Sequence, residues 1–109
     1  MYRYRDNSGS TSGSLDRLEH IDKLGKLSVI RGYTYKGKYG FNSAVLIKGE
    51  NGSARYSGFS WGYSGEGPRG LEKLLRLLNI NQDEIKRVLD CPWDGWSKKE
   101  ISWEIKLGA

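Results

Sequence analysis

Apolar positions recur with two different periods along the chain. Leu15, Leu18, Ile21 and Leu24 stand at helix-like spacing, which predicts a short helix over residues 15–26. Residues 27–31 read as a strand, and residues 32–40 continue in Tyr and Thr punctuated by glycine. Residues 43–48 predict another strand. Glu50-Asn51-Gly52-Ser53 is a hairpin turn, because Asn-Gly accepts the positive φ of a tight turn, and residues 55–61 are the returning strand. Leu71, Leu74, Leu75 and Leu78 then fall at i, i+3, i+4, i+7, the stripe of an amphipathic helix. Pro68 fits the first turn of that helix, where a missing N–H leaves no hydrogen bond unmade. Asn81 with Glu84 three residues on marks the start of a second helix. Its apolar face is Ile85, Val88 and Leu89, and Cys91-Pro92 stops it. Residues 101–107 alternate with period two and predict a last strand, although Ser97-Lys98-Lys99-Glu100 has the form of a capping box and makes a helix the rival there.

These elements add up to an α+β fold, a small antiparallel sheet with a helix pair packed on it. Residues 15–109 form its single domain. Residues 1–14 are expected to be a flexible N-terminal segment, because 7–14 read Asn-Ser-Gly-Ser-Thr-Ser-Gly-Ser, a linker composition. The opening Met1-Tyr2-Arg3-Tyr4-Arg5 has no apolar core of a secretory signal, and no apolar run approaches the ~18 residues of a membrane span. A cytoplasmic setting is expected.

Composition removes several chemistries. With one Cys, Cys91, and one His, His20, the chain has neither an internal disulfide nor the about four N/S ligands of a tetrahedral zinc site. No D-x-D-x-D-G loop is present, so no metal and no cofactor is expected. His20 stands between Glu19 and Asp22 and is expected to be solvated. Cys91 is expected to be a small buried hydrophobe. Without an acid–base pair, the chain is expected not to be an enzyme.

The main chemical signal is the segment Phe59-Ser60-Trp61-Gly62-Tyr63-Ser64-Gly65-Glu66-Gly67-Pro68-Arg69-Gly70. It contains G-x-G-x-x-G after an expected strand and before an expected helix, the setting in which backbone N–H groups and the helix dipole receive an anion. The dinucleotide form of the motif also needs a second parallel strand ending in an acid, whereas here a second helix follows, so a Rossmann unit is rejected. A purely structural use of the segment, making a tight turn, stands beside the ligand reading. In the ligand reading the site residues are Arg55, Phe59, Trp61, Tyr63, Gly65, Glu66, Gly67 and Arg69. The arginines would grip phosphate, the aromatic rings would stack, and the glycines would supply backbone. A helix-turn-helix over residues 71–89 is disfavoured, because Asp83, Glu84 and Asp90 offset Lys86 and Arg87.

The same segment, with Cys91-Pro92-Trp93-Asp94-Gly95-Trp96-Ser97-Lys98-Lys99-Glu100-Ile101, resembles a family of small uncharacterised phage, plasmid and bacterial proteins. Those carry F-E-W-G-Y-G-G-S-G-P before an apolar helix and L-P-x-D-G-W-T-L-T-E-A-E-I near the end. The resemblance covers residues 30–101 and departs from the family at Ser64, Glu66 and Arg69-Gly70. It implies a mobile-element accessory protein. By analogy with phage sponge proteins, it points to non-enzymatic, oligomeric sequestration of a small anionic ligand of nucleotide type, in the host cytoplasm.

Two alternatives rest on other residues. Trp93 and Trp96, if exposed, are anchors for a protein partner such as a host defence protein. The net charge is +5, and the basic excess lies in residues 1–40. There Arg3, Arg5, Arg17, Lys23, Lys26, Arg31, Lys36 and Lys38 accompany Tyr33, Tyr35 and Tyr39, a composition suited to nucleic acid. A chain of this size buries a limited core, so a homo-oligomer is expected.

Overall fold

A long hairpin organises the chain. The computed structural model describes residues 1–38, 40–92 and 101–107. Strand β1 (Tyr2–Arg5) leads to helix α1 (Thr11–Leu15) and a 3₁₀ helix (Leu18–Leu24). Strands β2 (Leu27–Gly37), β3 (Gly40–Gly49) and β4 (Gly52–Tyr56) follow, then α2 (Glu66–Leu77), α3 (Gln82–Leu89) and β5 (Ser102–Lys106). The five strands form one sheet in the order β1-β4-β3-β2-β5. The β3–β4 turn falls at Glu50–Asn51, and Gly52 has the positive φ (152°) that Asn-Gly foreshadows.

The fold is α+β as expected, with one correction to the sheet. It is mixed, because β1 pairs parallel to β4, Tyr2 opposite Gly52 and Arg5 opposite Arg55. Residues 1–14 are therefore built into the fold, contrary to the expectation from their composition. The reason is the buried Asp6. Its carboxylate accepts from the Ser14 hydroxyl at 2.5 Å, from the Ser8 N–H at 2.8 Å and from the Ser57 N–H at 3.2 Å. The Ser14 Oγ in turn accepts from the Gly58 N–H at 2.9 Å. A run of small hydroxyl residues thus orders itself around one anion, which a linker of the same composition lacks.

The helix expected over 15–26 is divided. Ser10 caps α1, and the remaining turns are 3₁₀, with Ile21 and Leu24 buried. Tyr56 anchors this segment by donating its hydroxyl to the Arg17 carbonyl at 2.7 Å. His20 is half-buried, not simply solvated. Its ring stacks on Tyr4, with centroids 3.5 Å apart, and its Nδ1 meets the Tyr2 hydroxyl.

One face of the sheet carries the core. Ile30, Val45, Ile47, Ala54, Tyr56, Trp103 and Ile105 point into it and meet Leu71, Leu74 and Leu75 of α2 and Ile85 and Val88 of α3. Asn81 caps α3 as expected, accepting the Glu84 N–H at 2.9 Å, while the Glu84 carboxylate pairs with Arg87. β5 is a strand, which decides against the rival helix for its residues. Trp93, Trp96 and residues 97–100 lie outside the described residues. Among the described residues, no helix packs on the opposite face of the sheet, and no helix is long and apolar enough to cross a membrane.

Candidate functional site

Strand alternation sends every second side chain to the open face, and the register lines them up in rows. One row crosses the whole sheet as Arg5, Arg55, Leu46, Arg31 and Glu104. The row beside it reads Arg3, Ser53, Lys48, Val29 and Lys106. On the other side, Tyr33 stands opposite Ala44, and Tyr35 opposite Asn42. The face is therefore basic, with Glu104 the one carboxylate in these rows.

Its centre is ordered. The Arg55 guanidinium donates from Nε to the Tyr33 hydroxyl at 2.9 Å. It lies 5.2 Å from the Tyr35 ring centroid and 6.0 Å from that of Tyr33. Arg31 also lies 5.7 Å from the Tyr33 ring centroid. Partial burial works against the Arg55 charge, but the phenol oxygens of Tyr33 and Tyr35 outweigh it and raise the pKa above the ordinary arginine value. Ala44 is fully buried although it belongs to this face, so its neighbours lie over it. A larger residue at that position would lift the cluster off the sheet.

The glycine segment is used differently from the expectation. Gly65 is the N-cap of α2, and Gly67 and Gly70 are inside the helix. Gly65 is extended (φ 167°), and in this segment only Gly62 (φ 83°) is left-handed. A Cβ at Gly67 would stand 1.9 Å from the Ser60 Oγ, and one at Gly70 would stand 2.3 Å from Thr11 Cγ2. These two glycines let α2 sit directly on the loop after β4 and on α1.

Phe59 and Trp61 need correction as stacking platforms. Both are fully buried, Phe59 against Tyr56 and Trp61 edge-on to Trp103. The expected returning strand ends at Tyr56 because Asp6 and Ser14 capture the backbone of Ser57 and Gly58. Residues 59–61 then turn beneath the sheet and fill the core. Tyr63 is half exposed, with its hydroxyl 2.7 Å from the Ser60 Oγ. Glu66 and Arg69 are exposed on the first turns of α2. Arg55 belongs to the open face and Arg69 to a helix on the covered face, so the fold does not join them in one site.

Four of the expected residues do share a cavity. A cleft of about 780 Å³ is lined by Phe59, Tyr63, Glu66 and Gly67, together with Gly9–Thr11, Tyr35, Asn42, Ser43 and Ser57–Ser60. It lies beyond the end of β4, and Tyr35 belongs both to it and to the open face. Its hydroxyls are largely committed. Ser43 donates to the Phe59 carbonyl at 2.7 Å, and Thr11 donates to the Gly58 carbonyl at 2.6 Å. Cys91 is half-buried at the end of α3, where burial pushes its thiol up. Among the described residues, no group of His, Cys, Asp and Glu is arranged to hold a metal ion.

No family model matches the chain, and no curated protein or solved structure shows significant similarity to it.

Sequence reasoning named most of the basic face, but as a stretch of chain. It missed Lys48 and Lys106, and it assigned Arg55 to the glycine segment. The signal for grouping them is parity. Arg31, Tyr33 and Tyr35 are two residues apart in one strand, and Lys48 and Arg55 have opposite parity to the core residues Val45 and Ile47, and Ala54 and Tyr56, of theirs.

Proposed function

We propose that the protein binds single-stranded nucleic acid on the open face of its sheet. The observation that carries this reading is the Arg55–Tyr33–Tyr35 cluster, flanked on one side by the cations Arg5, Arg31, Arg3, Lys48 and Lys106 of the two rows. Cations spaced across a sheet attract a phosphodiester backbone, and half-buried tyrosine rings offer flat surfaces on which any base stacks. A flat sheet face suits an unpaired strand, whose bases are free to splay onto it. A helix that reads a duplex groove needs an excess of positive charge, and α3 carries acids beside its basic residues.

This reading is of a binding protein acting in the cytoplasm rather than an enzyme. It agrees with the accessory role implied by the resemblance to phage and plasmid proteins. The test is fluorescence anisotropy with a labelled single-stranded octamer, within the ~4–16 nucleotides that one such surface spans, titrated from low to moderate salt. Binding that weakens steeply with salt is expected. No binding at about 50 mM salt would overturn the proposal.

A further inference from the structure

We infer that the cleft beside the sheet seats one nucleoside of the bound strand and prefers a base with an exocyclic amino group. This rests on the nucleic-acid reading above. The cleft's volume of about 780 Å³ lies within the ~300–1,000 Å³ of small-molecule sites. Tyr35 forms its wall toward the sheet, and Tyr63 lines it on the α2 side. Tyr35 therefore joins the Arg55 cluster to the cleft.

Charge divides the two regions. The cations are on the sheet face, and among the described residues the cleft is lined by no Lys or Arg but by the acidic residue Glu66. Phosphate is drawn to the first and repelled by the second, so the uncharged base and sugar are what the cleft admits. A carboxylate such as that of Glu66 accepts hydrogen bonds, so it pairs with an exocyclic amine such as cytosine N4. At the same exocyclic position thymine presents O4, an acceptor, and makes no hydrogen bond to the carboxylate there. Asn42, with donors and an acceptor on one amide, stands at the rim next to Tyr35 and serves either base. Glu66 therefore carries the discrimination.

The experiment compares labelled deoxycytidine and thymidine octamers on the intact chain at low salt and neutral pH. The deoxycytidine octamer is expected to bind about fivefold tighter, the low end for one base-edge contact. Glu66→Ala should bring the ratio close to one. Arg55→Ala should weaken both octamers and leave the ratio in place. Glu66 is exposed, and a thermal melt of Glu66→Ala checks that the fold is kept. Equal binding of the two octamers, tighter binding of thymidine, or a ratio untouched by Glu66→Ala would overturn this inference while leaving the sheet-face reading standing. Failure of both octamers to bind would overturn the sheet-face reading and this inference with it.

Discussion

Arg55 and Tyr33 are joined by a 2.9 Å hydrogen bond although their strands do not pair. β3 runs between β4 and β2, and the contact passes over its small residue Ala44, the register partner of Tyr33. The bond fixes the phenol and the guanidinium in advance, so less side-chain freedom is lost when a ligand arrives. Tyr35 also engages the guanidinium, so both phenols hold Arg55 in place.

Tyr33→Ala is expected to weaken octamer binding by about 1–3 kcal/mol, the value of one base–aromatic stack, and Tyr35→Ala by a similar amount. Tyr33→Phe keeps the ring and removes only the bond to Arg55, so its loss should be the smaller one, about 1 kcal/mol. Anisotropy titrations of the three variants check this order. Equal affinities for wild type and both alanine variants would remove the rings from the interface.

Salt separates charge from stacking. Each phosphate neutralised contributes about 0.7 to the slope of log K against log salt for a single strand. Arg31→Ala and Arg5→Ala should each lower the slope by about that amount, whereas Tyr35→Ala should weaken binding with the slope unchanged. Titrations at several salt concentrations give the slopes directly.

The helix pair, the Asn-Gly hairpin and β5 were legible because each depends on a local signal: apolar period, cap or turn residue. The first fourteen residues were not. Their order depends on Asp6 reaching Ser14 and Ser57, the latter 51 positions away, and no local pattern encodes such a pairing. The glycine segment was read through its spacing alone. Spacing does not distinguish a glycine that admits a ligand from one that admits Ser60 or Thr11. Phe59 and Trp61 were misplaced for a related reason. Once β4 ends at Tyr56, alternation no longer governs where an aromatic points.

The glycines therefore have separable roles. Gly67→Ala forces a methyl against the Ser60 hydroxyl, which is held by Tyr63, and should destabilise the fold by about 1–3 kcal/mol. Gly65→Ala meets only the edge of the half-exposed Tyr63 ring at 3.0 Å, in a backbone conformation open to any residue. It should change stability by less than about 1 kcal/mol. Urea denaturation of both variants makes the comparison. A reversed order would mean that α2 does not pack on residue 60 as described.

Asp6 makes stability depend on pH in acid. Burial alone would raise its pKa, but the hydrogen bonds from Ser14, Ser8 and Ser57 outweigh that and bring it from the ordinary 3.8 down to about 2. Between those values the unfolded chain binds the proton more readily than the folded one, so stability rises with pH across this range. The contribution is fully present above about pH 5. It falls away as the pH drops through 3.8 toward 2, by about 2 kcal/mol in all. Asp6→Asn should be less stable than wild type at neutral pH by at least that amount, because an amide turns two donors toward groups that themselves donate. The difference between the two proteins should narrow as the pH is lowered. Urea midpoints measured from pH 7 to pH 2 follow both effects, and parallel curves for the two proteins would show that the Asp6 carboxylate is not what ties the N-terminal strand to β4.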